Sequence, residues 1–230
     1  MQRFAIGDIH GCLKTFQTLL EQINYSTEDE LILLGDYVDR GPDSKGVFDH
    51  IFHLREEGYK VMCLMGNHEQ MLLDFKKDDK GRKSWLLHGG VQTLMSFDAE
   101  TIRDIPGKYI DFMTDLPNYY TTDDFIFVHG GLNFTKRNPF KDEYAMLWER
   151  AWYKQVNYKW LGKKIIVHGH TPSTREEIEE MGKYIQLNQY INLDCGCYVS
   201  ERRADMGFLT ALNLDSHELY FQKCVDEVIF

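Results

Sequence analysis

RFAIGDIHG at residues 3–11, ELILLGDYVDRG at 30–41 and KVMCLMGNHE at 60–69 share one construction, a short apolar run that stops at glycine and then at Asp or Asn. Each run reads as a strand that ends in a polar loop. Between the first two, Leu13, Phe16, Leu19, Leu20 and Ile23 recur at helical spacing, as do Val47, Ile51 and Leu54 between the second and third. Strand, helix, strand, helix, strand predicts an α/β fold with parallel strands joined by right-handed crossovers. In such sheets ligands collect outside the carboxyl ends of the strands, where Asp8, Asp36 and Asn67 fall.

Working outward, the spacing predicts a helix from about residue 69 to 75, then a charged, exposed turn over 76–83. Two more strands, Phe125–Val128 and 163–167, are each followed at once by histidine. From Tyr190 onward strand-like runs alternate with turns, notably 207–214 and 219–224, which predicts a second, mixed sheet. With 230 residues and no linker, repeat or low-complexity tract, one domain over 1–230 is expected.

A formal net charge of −10 argues against binding a nucleic-acid polymer. No stretch approaches the roughly 18 apolar residues of a membrane span, and the start lacks an export pattern, so a cytoplasmic protein without membrane contact is expected. The five cysteines lack C-x-x-C spacing and read as reduced thiols. Cys195 and Cys197 alternate around Gly196 and would share one side of a strand, which leaves core packing and a metal role as the two readings.

Chemistry concentrates at the strand ends. Asp8 and His10 stand two residues apart after the first strand, Asp36 follows the second, Asn67 and His68 the third, and His129 and His170 the two later ones. Any one of these alone is explained as a helix N-cap or a structural histidine. Five polar blocks after five apolar runs are not independent caps, and together they point to metal ligation through N and O donors.

These blocks resemble those of the calcineurin-like metallophosphoesterases, specifically the phosphoprotein phosphatase branch, over roughly residues 4–172. The resemblance implies a two-sheet β-sandwich core flanked by helices, with a dinuclear metal site at the strand carboxyl ends. By the same resemblance Asp8 and His10 bind the first ion, Asp36 bridges both, and Asn67, His129 and His170 bind the second. His68 is then the acid on the leaving group, oriented by Asp39, while Arg40 and Arg150 clamp the phosphate. Met65 stands where many relatives carry arginine, and Pro172 where other branches have a further histidine. His168 and His88 are read as non-ligands. The implied cofactor is two divalent ions, manganese being favoured and iron, zinc or cobalt compatible with the same donors.

The expected activity is phosphomonoester hydrolysis by a water-derived nucleophile, with a phosphorylated protein or a small phosphoester as partner. His129-Gly130-Gly131-Leu132 and His170-Thr171-Pro172 look like the serine/threonine protein phosphatases. A bis(5'-nucleosyl)-tetraphosphatase is the alternative enzyme, for which Tyr37, Trp85, Trp148 or Tyr198 would line a base pocket. A catalytically silent binding protein of the same fold is the non-enzyme alternative, and it would be expected to have lost a ligand or the acid, which this chain has not.

Overall fold

A computed structural model describes residues 1–77, 82–199 and 203–228. Of the charged stretch expected as a turn at 76–83, residues 78–81 lie outside the described residues, and the described residues on both sides are helical instead. Its start is helical, because the third helix runs on to Lys77.

The apolar runs form β1 (Arg3–Ile6), β2 (Glu30–Leu33) and β3 (Lys60–Cys63), parallel and in sequence order. The crossovers are α1 (Leu13–Gln22) and α2 (Ser44–Glu56), and α3 (Asn67–Lys77) follows β3. Helix α1 buries Phe16, Leu19 and Leu20, the stripe its spacing predicts. Helix α2 starts where the Asp43 side chain accepts from the amide of Gly46, which satisfies one of the donors every helix start leaves open.

A second sheet has the order β4-β5-β6-β7, built from β4 (Tyr119–Thr121), β5 (Phe125–Val128), β6 (Ile165–His168) and β7 (Tyr190–Asn192). Strands β5, β6 and β7 run parallel, and β4 is antiparallel to β5.

The expectation of a separate C-terminal sheet is corrected here. Only β7 belongs to the second sheet; β8 (Asp194–Cys195), β9 (Phe208–Asn213) and β10 (Leu219–Lys223) extend the first. Strand β9 lies antiparallel beside β1, with Ala5 opposite Leu212. The physical reason is the free edge of β1, which β9 closes while burying Leu209, Ala211 and Leu212. Cys195 lies on β8 but Cys197 opens a 3-10 turn, so the two do not share a strand face.

The sheets pack face to face. Ala5, Ile32, Leu34 and Leu64 of the first meet Phe125, Phe127, Ile165, Val167 and Ile191 of the second in one buried cluster. Neighbouring residues along the same strands, Phe4, Ile6, Leu31 and Leu33, point the other way into a core shared with α1 and α2. Both faces are therefore covered, which is why these strands read as unbroken apolar runs. Two sheets flanked by helices is the architecture, and the carboxyl ends of β1, β2, β3, β5 and β6 carry the polar blocks.

Candidate metal centre

Asp8, Asp36, Asn67, His129 and His170 all leave the ends of parallel strands, and all are buried. The loops that carry the site are unusual in backbone conformation: His10, Asp36, Asp39, Arg40 and His170 have φ between 47° and 71°. Side chains other than glycine avoid that region, so the surrounding packing must enforce it.

Glu69 enforces it for the loop after β2. Its fully buried carboxylate accepts the amides of Asp36 at 2.9 Å, Tyr37 at 2.8 Å, Val38 at 3.1 Å and Gly66 at 3.1 Å. A Cβ at Gly66 would strike the Asp36 amide and carboxylate, so only glycine allows the two loops to approach this closely. Gly89, at φ 108°, lets its carbonyl accept the Arg40 amide at 3.3 Å where the helical segment kinks.

Two clusters of donor atoms result. His10, Asp36 and His68 form one, and Asp36, His129 and His170 the other, the ligand atoms within each lying inside 4.8 Å of one another. Asp36 belongs to both. Its Oδ2 is 3.4 Å from His10 Nε2 and its Oδ1 is 3.3 Å from His129 Nε2. Asn67 Oδ1 joins the second cluster, 2.8 Å from His129 Nε2 and 2.7 Å from His170 Nδ1. Asp8 sits beside it, accepting the His170 amide at 3.1–3.2 Å.

The imidazoles are oriented from behind. His10 Nδ1 donates to the Val38 carbonyl at 2.9 Å and His129 Nδ1 to the Leu34 carbonyl at 3.0 Å, which turns both Nε2 lone pairs inward. Outer carbonyl contacts of this kind are how metal-binding histidines are held.

The residues fit a pair of cations on observations of this structure. Positive groups already face both clusters: the Arg40 guanidinium donates to Nε2 of His10 at 2.8 Å and of His68 at 2.9 Å, standing in for a cation at the first. At the second, burial opposes charge on His129, yet Asp36 and Asp8 outweigh it and bring the ring up to about 9, so these carboxylates draw positive charge to the place a cation would take. His170 Nε2 is buried without any hydrogen-bond partner, and burial together with His129 lowers that ring to about 2. Burial and neighbouring Asp194 raise Asp8 well above the ordinary carboxylate value. Buried carboxylates without enough opposite charge are costly, and divalent ions would relieve the cost.

His68 is tied into a third arrangement. Its Nδ1 is 2.6 Å from Asp39 Oδ2, and Asp39 is fully buried. Asp39 also accepts from Trp85 Nε1 at 3.0–3.1 Å and from the Thr93 hydroxyl at 2.6 Å. Trp85 is therefore unavailable to line a base pocket, and Tyr37, whose hydroxyl donates to the Leu64 carbonyl at 2.9 Å, is equally buried. That part of the expectation is corrected. Tyr198 and Trp148 do border the centre: Tyr198 lies 4.3 Å from the Arg40 guanidinium and 5.1 Å from the His10 ring, and Trp148 meets His170 edge to face at 6.1 Å.

The two arginines flank the clusters. Arg40 is half-buried; Arg150 is exposed and donates to the His170 carbonyl at 2.8 Å and Thr171 Oγ1 at 3.3 Å. His168 is buried and neutral, accepting from Tyr153 at Nε2 (2.8 Å) and lowered by burial to about 3. His88 is exposed, with Nδ1 on the Ser84 carbonyl, and belongs to neither cluster. Sequence reading missed Glu69, Thr93 and Asp194. Only Glu69 carried a local signal, adjoining His68, and that signal equally fits a helix's first turn.

The family model described as calcineurin-like phosphoesterase matches residues 1–200. The chain is similar to the asymmetrical bis(5'-nucleosyl)-tetraphosphatase of Anoxybacillus flavithermus, 28% identical with 93% of this chain and 90% of the relative covered. Among solved structures, one described as a putative diadenosine tetraphosphatase superposes with a TM-score of 0.66 at 21% identity, covering 96% of this chain and 92% of the other. A protein serine/threonine phosphatase of Saccharomyces cerevisiae gives a TM-score of 0.68 at 15% identity, over 99% of this chain and 81% of its own. At those identities the structures speak to the fold alone.

Proposed function

This chain belongs to the calcineurin-like phosphoesterase family, and we propose that within it the chain is a phosphomonoesterase acting on phosphoserine or phosphothreonine in proteins. Asp8, His10, Asp36, Asn67, His129 and His170 would hold two divalent ions, with Asp36 shared. When bound, these ions supply Lewis-acid charge to the phosphoryl oxygens and activate the attacking water. Imidazole, amide and carboxylate donors without thiolate favour manganese, with iron, zinc or cobalt compatible.

The chain's own residues do the rest. Arg40 and Arg150 grip the non-bridging oxygens from two sides, a planar, multi-donor contact that lysine reproduces less well. Once Arg40 turns from His68 Nε2 to the phosphate, that nitrogen would be free to carry a proton and pass it to the departing oxygen, while Asp39 fixes the ring by accepting from Nδ1. The residues work as one catalytic domain over 1–230.

The observation that carries the substrate class is the buried support of His68. Serine and threonine alkoxides are poor leaving groups that depend on protonation, whereas a nucleotide leaves a phosphoanhydride with far less need of it. A positioned acid backed by a fully buried carboxylate with two further donors is suited to the harder departure. A groove of about 530 Å³ beside Arg40, lined by Leu86, Leu87, Val91 and Tyr198, offers room for the departing alcohol's neighbours.

A second reading, hydrolysis of dinucleoside tetraphosphates, is favoured by the relatives matched over nearly the whole chain and by the rings of Trp148 and Tyr198 at the rim. Kinetics on one metal-reconstituted preparation separate the two. Phosphopeptides are expected to show the higher kcat/KM over diadenosine tetraphosphate. A dinucleotide preference above about tenfold, about 1.4 kcal/mol of differential transition-state binding, overturns the protein-phosphatase reading and leaves phosphoester chemistry intact.

A further inference from the structure

Three of the five cysteines converge, although they lie far apart in the chain. Cys12 precedes α1, Cys197 opens the turn after β8, and Cys224 follows β10. Their sulfurs all lie within 4.8 Å of one another, with Cys12 and Cys224 4.0 Å apart. Cys12 and Cys197 are buried and Cys224 is half-buried, and none is in a disulfide. Cys63 and Cys195 stand outside the group, so the convergence is selective.

We propose that Cys12, Cys197 and Cys224 form a third metal site, for one soft, thiophilic cation of the zinc(II) or copper(I) class. Isolated buried cysteines pack as small hydrophobes, and nothing in that role brings three sulfurs together. One ion bound to three thiolates at about 2.3 Å holds the sulfurs roughly 4 Å apart, the separation of Cys12 and Cys224 here, with Cys197 within 4.8 Å of both. A disulfide would join two of the sulfurs and strand the third. Thiolates select soft ions, so this site would hold them in preference to the manganese that suits the N- and O-donor centre.

Its location gives it a task. Cys12 is two residues beyond His10, and Cys12 Sγ donates to the His10 carbonyl at 3.5 Å. Cys197 adjoins Tyr198, whose ring lies against both Arg40 and His10. Cys224 brings the chain end after β10, where Thr15 Oγ1 donates to its sulfur at 3.6 Å. An ion held here ties the first metal loop, one wall of the phosphate site and the C-terminal segment together without touching substrate.

The test uses the reduced, metal-free full chain titrated with cadmium(II), whose thiolate complexes absorb in the ultraviolet while imidazole and carboxylate complexes do not. That readout is independent of phosphatase activity. The wild type is expected to develop a charge-transfer band complete at one equivalent of thiolate-bound cadmium, with a rise in Tm. Cys224→Ser and Cys197→Ser should each lose most of the band, while Cys63→Ser keeps it. Zinc(II) and copper(I) are then titrated separately into the metal-free chain against a chromogenic chelator, and the ion whose tight binding the two serine variants lose is the one the site takes. No band in the wild type overturns the proposal without reference to any variant. So does an undiminished band in both serine variants, or zinc(II) and copper(I) binding that both serine variants retain unchanged.

Discussion

The loop after β2 and the loop after β6 both bring donor atoms to the metal centre, but they are held by different means. Residues 36–39 are gripped by protein alone: Glu69 takes three consecutive amides, and Asp39 is enclosed by His68, Trp85 and Thr93. His170 has its amide on Asp8 and its carbonyl on Arg150, while its Nε2 is buried without a partner. The first loop is held by more protein hydrogen bonds than the second, which leaves one buried ring nitrogen unpaired. Such a division places Asp39, the partner of the proposed acid His68, and Arg40 on the more rigid side.

Asp36 joins the two regions, so replacing it should break the comparison most completely. Asp36→Asn is expected to abolish tight binding of both ions together and take activity to background, since it is the one carboxylate in both clusters. Asp8→Asn should retain the larger part of the bound metal. Elemental analysis after gel filtration reads the stoichiometry, and an Asp36 variant that still carries two ions removes it from the shared role.

On the rigid side, His68→Asn should lower turnover of alkyl phosphates by roughly 10²- to 10⁴-fold, the usual worth of a positioned acid. Aryl phosphates, whose leaving groups need less protonation, should lose much less. Equal losses on the two classes would make His68 a positioning residue for water or metal.

The arginines sharpen the contrast one step down. Arg40→Ala removes a half-buried donor seated on two imidazoles and a tyrosine ring, and a loss of about 10²- to 10³-fold in kcat is expected, comparable to removing a preorganised transition-state donor. Exposed Arg150 works in high dielectric, so Arg150→Ala should cost about tenfold or less, with a loss that shrinks as salt rises. A larger effect at Arg150 would reverse the assignment of the preorganised side.

How much of this was legible follows the same division. The five strand ends were readable because each is an apolar run cut by glycine and a polar block, and burial on both faces keeps the runs continuous. The placement of β9 beside β1 was not, because an antiparallel partner 200 residues away leaves no local pattern. Within the site, residues inside the blocks were readable by type and spacing. Trp85 and Thr93 were not, because they reach Asp39 through space from a helical stretch whose sequence advertises only packing. The cysteine group escaped for the same reason: its three members share no spacing, and the pair that did, Cys195 and Cys197, is split by the turn at Gly196.

Trp85 provides the smallest and most discriminating test of the rigid side. Trp85→Phe keeps an aromatic ring in the fully buried position but deletes the Nε1–H that both Asp39 oxygens share. A hydrogen bond to a charged group is worth about 1.5–3 kcal/mol, so a stability loss of that order is expected from thermal or denaturant unfolding. Asp39 keeps Thr93 and His68, and its carboxylate stays in place with one donor fewer. Turnover on alkyl phosphates should then fall by less than about tenfold, because the acid is oriented more loosely rather than removed. Aryl phosphate turnover should be unchanged, and metal stoichiometry should remain at the wild-type value. An equal fall on aryl and alkyl substrates would mean that Trp85 supports the site through packing around α3 and not through Asp39 and the acid.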